Sequence, residues 1–194
     1  PATLTDIALT SSAWTINQAE NGATITWSAG VMTLNAPISG ANPRARVYAN
    51  GYAVAAGQPY TIEVEARMLS GDFNGNVLVG LNMLPGFAGN ANFFQHWHAN
   101  QGATNFYGDW TETMAVSAVP LDHEWHVFRL EFDGFQVLTY RLDGVTVAVQ
   151  QRPRTDGVAD ITPGDFAGFK AYAESYPGTA AKTLEIRRFA VKVG

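Results

Sequence analysis

Apolar and polar residues alternate with a period of two along most of the chain, and no stretch repeats with the 3.6-residue period of an amphipathic helix. The clearest stretch runs from Trp125 to Gln150. In its first part Phe128, Leu130 and Phe132 share one face and Val127, Arg129 and Glu131 the other, because successive side chains of a strand point to opposite sides. Asp133-Gly134 then marks a turn, Leu138, Tyr140 and Leu142 point inward, Asp143-Gly144 marks a second turn, and Val145, Val147 and Val149 are expected inward. Asp-Gly between alternating runs is a strong local hairpin signal, so this segment predicts a three-stranded antiparallel meander.

The same alternation predicts a strand from Tyr60 to Met68, with Ile62, Val64 and Ala66 set against Glu63, Glu65 and Arg67. Shorter strands are expected at Ala23 to Ser28, Val31 to Asn35, Arg44 to Ala49, Asn76 to Leu84 and Asn92 to His98. A long closing strand is expected near the C-terminus, with a bulge at the Arg187-Arg188 pair. Turn residues recur at roughly the eight-to-twelve-residue spacing of a sandwich or barrel. No repeat or linker interrupts the 194 residues, which predicts one all-β domain spanning 1–194.

The run Trp125-His126-Val127-Phe128-Arg129-Leu130-Glu131-Phe132, then Asp133-Gly134, then Tyr140-Arg141-Leu142-Asp143-Gly144-Val145, resembles the meander of the concanavalin A-like lectin and glucanase superfamily. That superfamily includes laminin G-like domains, laminarinase-type glycoside hydrolases and many carbohydrate-binding modules. The resemblance implies an antiparallel β-sandwich of the jelly-roll, concanavalin A-like kind. It leaves enzyme, lectin and adhesion roles open, because function resides in sites placed on a fold.

Composition narrows the partners. Charged residues make up 15% of the chain, against about 25% in an average soluble domain, so much of the surface is neutral and polar. The net charge is -5 and no basic cluster exceeds two adjacent residues, which disfavours binding to a nucleic acid backbone. Without cysteine there are no disulfides, thiolate metal sites or cysteine nucleophiles. No apolar run reaches the ~18 residues of a membrane span, so no membrane insertion is expected. The first twenty residues lack the zones of a signal peptide, and a start at Pro1 fits either an intact product or a processed fragment.

Candidate chemistry concentrates where charge is missing. From Phe73 to Gly108 there is no Asp, Glu, Lys or Arg, and between Phe87 and Trp110 seven aromatic residues are interleaved with Asn, Gln and His. Flat rings suit the C–H faces of a sugar and carboxamides suit its hydroxyls. The expected ligand contacts are Gln95 and Trp97 on the Asn92 to His98 strand, with Asn105, Tyr107 and Trp110 from the loop that follows. The alternative is that half of these rings fill the core and the Asn and Gly residues punctuate loops.

Other chemistry is weaker. His96 and His98, or His123 and His126, are spaced to chelate a metal, but the pairs form no known signature and are read as ring histidines with satisfied hydrogen bonds. Asp72-Phe73-Asn74-Gly75-Asn76 has alternating oxygen ligands but no later glutamate, and reads as a turn. No cofactor is therefore assigned, with calcium kept as an alternative because it is common in the resembled superfamily.

Laminarinase-type enzymes carry a three-acid strand motif. Its nearest counterpart, Glu63-Val64-Glu65-Ala66-Arg67, lacks the third acid and reads as solvated cross-strand charge. Asp109, Glu112, Asp122 and Glu124, with His123 or His126, border the aromatic segment without forming a motif.

No catalytic residue is assigned. The expectation is a non-catalytic carbohydrate-binding or adhesion module for a neutral or weakly charged glycan, at a cell surface or other extracellular site. A virion spike, fibre or tip is one setting, in a homo-oligomer or larger assembly that multiplies weak sites. A glycan hydrolase or polysaccharide lyase, and a purely structural subunit, are the alternatives.

Overall fold

The computed structural model describes residues 3–55, 57–70, 75–83, 93–100, 105–110, 113–151, 166–175 and 180–194. Among these residues the regular structure is entirely extended, in two antiparallel sheets. Sheet A contains β1 (Thr5–Asp6), β3 (Thr24–Ser28), β4 (Val31–Ala36), β7 (Tyr60–Ser70), β12 (His126–Phe132), β13 (Val137–Leu142), β14 (Val145–Gln151) and β16 (Lys182–Val193). Its order is β14-β13-β12-β7-β16-β4-β3, with β1 also on β16. Sheet B contains β2 (Trp14–Glu20), β5 (Arg44–Ala49), β6 (Val54–Ala55), β8 (Gly75–Met83), β9 (Phe93–Asn100), β10 (Asn105–Trp110), β11 (Thr113–Pro120) and β15 (Phe166–Ser175). Its order is β11-β10-β9-β8-β15-β5-β2, with β6 on β15.

The core between the sheets follows the alternation. From sheet A it takes Ile62, Val64, Ala66 and Met68 of β7, Phe128 and Leu130 of β12, Leu138, Tyr140 and Leu142 of β13, and Leu184, Ile186, Phe189 and Val191 of β16, all buried. From sheet B it takes small residues, Ala45, Val47 and Ala49 of β5 and Ala171 and Ala173 of β15, together with the large rings of Trp97, Phe106 and Phe169. The rings of the two sheets meet one another, Trp97 and Phe106 against Phe128 and Phe169 against Phe189, with the small residues of β5 and β15 filling the layer around them. The expected bulge is present: the β16–β7 register shifts between Ile186 and Arg188, so that Phe189 returns to the core.

Both Asp-Gly turns form. Asp143 and Gly144 have φ of 51° and 79°, the left-handed pair of a two-residue hairpin whose twist matches its strands. Asp133 Oδ1 accepts from the backbone N–H groups of Phe135, Gln136 and Val137, closing the longer turn.

One inward set is corrected. Val145 and Val149 are 67% and 61% exposed rather than buried. The β13–β14 register jumps between Tyr140 and Arg141, leaving Val147 as an extra residue in a strand at the sheet edge. The bulge changes the phase of β14, and among the described residues no strand pairs with its outer edge.

Candidate functional site

Strand alternation gives sheet B a second, outward-directed set of side chains. In β15 the core residues Phe169, Ala171 and Ala173 alternate with Lys170, Tyr172 and Glu174, and in β5 Ala45, Val47 and Ala49 alternate with Arg44, Arg46 and Tyr48. The antiparallel register sets Glu174 opposite Arg44, Tyr172 opposite Arg46, and Lys170 opposite Tyr48. Directly opposed residues share a face, so these six side chains form one patch.

The patch is polar yet buried: Lys170 is 2%, Tyr172 1%, Glu174 3% and Arg46 8% exposed. Arg44 Nε donates to Glu174 Oε1 at 2.8 Å. The Arg46 guanidinium carbon lies 5.0 Å from the centre of the Tyr172 ring, and Lys170 Nζ lies 5.5 Å from it, both within cation–π range. Arg46 Nη1 also reaches Asn17 Oδ1 at 3.5 Å. Burial, reinforced by the nearby Arg46 charge, holds the Lys170 ammonium well below its ordinary pKa. Burial and then the Glu174 charge push the Tyr172 hydroxyl upward, so it is protonated at neutral pH.

The ladder carries this patch toward the charge-free strands. Lys170 stands opposite Gly80 of β8, Gly80 opposite His96 of β9, and His96 opposite Asp109 of β10. Tyr172 likewise leads through Leu78 and His98 to Tyr107. The cations were missed by sequence reading because Arg44, Arg46 and Lys170 lie outside the charge-free segment; only the pairing of β5, β15 and β8 unites them.

The expected contacts fare differently. Trp97 is fully buried, and its indole Nε1 donates to the Arg129 carbonyl at 3.0 Å. Its ring packs 5.6 Å from Phe128 and edge-on 5.5 Å from Tyr140. It is therefore a core residue and not a ligand contact, because strand phase directs position 97 toward sheet A. Phe106 is buried beside it, 5.3 Å from Phe128.

Asn105 is half-buried and donates Nδ2 to the Ser117 carbonyl at 2.8 Å, tying β10 to β11. Tyr107 and Trp110 belong to strand β10, not to a loop, with Tyr107 opposite the exposed Val116. The side chains of Gln95, Tyr107 and Trp110 lie outside the described ones, as do those of His96, His98 and Asp109.

The other described candidates are engaged in contacts within the protein. His126 Nδ1 meets Asp143 Oδ2 at 2.6 Å and its Nε2 meets Asp122 Oδ1 at 2.9 Å, while its ring packs edge-on against Phe106. His123 Nδ1 lies 3.2 Å from the Met68 carbonyl, so the two histidines do not converge.

Glu63 joins Arg129, at 2.8 Å, to Arg188 in an ion-pair lattice on the outer face of sheet A, where Glu65 holds Arg187. The guanidinium carbons of Arg67 and Arg187 lie 4.9 and 4.4 Å from the centre of the Trp125 ring, both within cation–π range. Among the described residues no group of three or more His, Asp or Glu is arranged to hold a metal. Asp72 and Asn74 of the possible calcium turn, and Glu112, lie outside the described residues.

No family model and no curated protein matches the sequence. Solved structures do match the fold. The carbohydrate recognition domain of Emp47p superposes with a TM-score of 0.64 at 11% identity, over 98% of this chain and 94% of that one. The alginate lyase AlgAT5 of polysaccharide lyase family 7 gives 0.64 at 9% identity, over 94% and 95%. SCLam, a non-specific endo-β-1,3(4)-glucanase of family GH16, gives 0.63 at 11% identity, over 96% and 86%. This is a fold found in carbohydrate-binding domains, glycan hydrolases and glycan lyases, and the chain has the concanavalin A-like jelly-roll architecture.

Proposed function

We propose that this chain, as one sandwich domain, is a carbohydrate-recognition module that holds a polysaccharide along the outer face of sheet B without cleaving it. The observation that carries this reading is the ladder continuity between the buried Arg46–Tyr172–Lys170 patch and the charge-free β8 and β9. Asn105 and Tyr107 remain proposed contacts on this face; Gln95 and Trp110, which fall in the strand phase of Trp97 and of its partner Gly108, remain proposed contacts only at the sheet margin; and Trp97 becomes a core residue. Glycoside hydrolysis ordinarily needs two carboxyl groups facing each other across a cleft. Among the described side chains of this patch the carboxylate is Glu174, engaged with Arg44. The module would act extracellularly or on a virion surface, in a repeated assembly that multiplies weak sites.

The test is a polysaccharide panel read with Tyr107→Ala and Asn105→Ala. Binding that weakens at least about tenfold in folded variants supports the reading. Failure of every glycan to bind the wild type would sink it. Chelation during the same measurement decides on calcium: lost binding that calcium restores adds an ion to the site.

A second reading is polysaccharide cleavage on the same face. It is favoured by the meeting of two ionisable groups, Lys170 and Tyr172, in one buried cluster, since such perturbed groups concentrate at catalytic sites. Release of new reducing or unsaturated ends from the panel, abolished by Tyr172→Phe, would replace recognition with catalysis.

A further inference from the structure

We infer that His126 is a proton-operated clasp: its doubly protonated ring fastens β10 and β11 to sheet A, and loss of one ring proton loosens them, so that glycan binding on the outer face of sheet B is gated by pH. The gating rests on the reading of that face as the glycan-binding face. The clasp itself rests on the geometry around one imidazole.

His126 begins β12, turned into the end of the core, and is 8% exposed. Its Nδ1 meets Asp143 Oδ2 at 2.6 Å and its Nε2 meets Asp122 Oδ1 at 2.9 Å. An ionised carboxylate only accepts hydrogen bonds, so both contacts are bonds only when both ring nitrogens carry a proton. A neutral imidazole has one N–H, and its other nitrogen then turns a lone pair toward a carboxylate. The side chains of Asp122 and Asp143 are 38% and 45% exposed, which gives the ring's proton a path to solvent. Among the described residues these two are the charged groups that act on the ring; β10 presents Phe106 to it, β12 Phe128, and β7 pairs Ala66 with it.

The two bonds are not equivalent. Asp143 is also fixed by its own turn, where Oδ1 accepts from the Val127 N–H at 2.8 Å and the Asp143 N–H donates to the Val127 carbonyl at 3.0 Å. Asp122 lies in the connection between β11 and β12, and its Oδ1 is otherwise held by the Glu124 N–H of that same connection, at 2.9 Å. The neutral ring therefore keeps Asp143 and releases Asp122.

Release reaches the proposed contacts by two routes. Asp122 follows Pro120 by two residues, and Pro120 is the cross-strand partner of Asn105. The His126 ring also packs edge-on against Phe106 at 5.2 Å, and Phe106 is flanked by Asn105 and Tyr107. Burial works against the charged ring, but the hydrogen bonds and charges of Asp143 and Asp122 outweigh it and raise its pKa above 6.5. The clasp is thus closed below pH 6.5 and opens as pH rises through the folded value.

Hydrogen exchange of wild type, Asp122→Asn and His126→Gln from pH 5 to 9 tests the clasp, with nitrogen NMR of the imidazole following the titration. In wild type the protection of β10 and β11 amides should fall about tenfold more across that titration than protection in the central β7 and β16. The excess fall should vanish in His126→Gln, and in Asp122→Asn, whose amide can donate to a neutral ring or accept from a charged one. Equal losses in all four strands, or a ring already neutral at about pH 5, would overturn the inference. Should neither variant fold, the wild-type exchange pattern decides. Calorimetry with laminarin, alginate and polygalacturonate over the same range tests the gating. Affinity for whichever binds should fall about tenfold as the wild-type ring deprotonates and stay level in Asp122→Asn. A level wild-type affinity, or a fall that persists in Asp122→Asn, overturns the gating and leaves glycan recognition in place. If neither these nor any other glycan binds, the reading of the face fails instead, and exchange alone decides the clasp.

Discussion

Trp97 and Arg129 join the two sheets by a single hydrogen bond, indole N–H to backbone carbonyl at 3.0 Å, through the middle of the core. A tryptophan polar group buried this deeply needs a partner, and the facing strand supplies one. Trp97→Ala is expected to destabilise the fold by about 3–5 kcal/mol through the cavity it leaves. Trp97→Phe keeps most of the packing, loses the bond and should cost less. Urea unfolding of the pair measures both, and an unchanged midpoint for Trp97→Ala would return this residue to the surface.

His126 should make stability depend on pH. Burial disfavours the charged ring, but its hydrogen bonds to Asp143 and Asp122 outweigh that and raise its pKa above 6.5. A raised folded-state pKa means that the stabilisation is complete below pH 6.5 and fades as pH rises through the folded value. Thermal melts from pH 5 to 9 should therefore show a fall in Tm on the alkaline side. The fall should be smaller in His126→Gln; identical profiles would show that the clasp contributes nothing through its charge.

Two turn glycines should respond differently to alanine. Gly134 has φ of +84°, and an added Cβ would lie 2.8 Å from both the Gly57 carbonyl oxygen and the Pro59 nitrogen, which are backbone atoms unable to yield. Gly144 has φ of +79° with nothing within 4 Å. Gly144→Ala should cost about 1 kcal/mol of backbone strain, and Gly134→Ala clearly more. Equal losses in chemical denaturation would contradict the close approach.

The two faces should also differ in how they tolerate loss of a cation. Arg44→Met deprives the buried Glu174 carboxylate of its guanidinium and is expected to cost about 2–4 kcal/mol. Arg141→Met removes a more exposed bond to Glu131, and should cost under about 1 kcal/mol. Equal costs in parallel urea titrations would mean that Glu174 does not depend on Arg44.

Alternation alone made most of sheet A legible, since β7, β12, β13 and β16 each keep one wet face and one dry face over many residues. It also located the two Asp-Gly turns and the bulge at Arg187. It did not expose β2, β11 or β15, because these strands carry polar or small residues on one side and lack a strong apolar rhythm. It misjudged β14, where the extra residue at Val147 shifts the phase.

Local sequence thus determined the strands of strong alternation, the two Asp-Gly turns and the sandwich class, because period-two patterning and Asp-Gly chemistry act over a few residues. Tertiary structure alone decided which side of β9 faces in, and it placed Arg46 of one distant strand beside Lys170 and Tyr172 of another. Those choices depend on sheet order and register, set by packing between segments more than a hundred residues apart, and no local pattern encodes them.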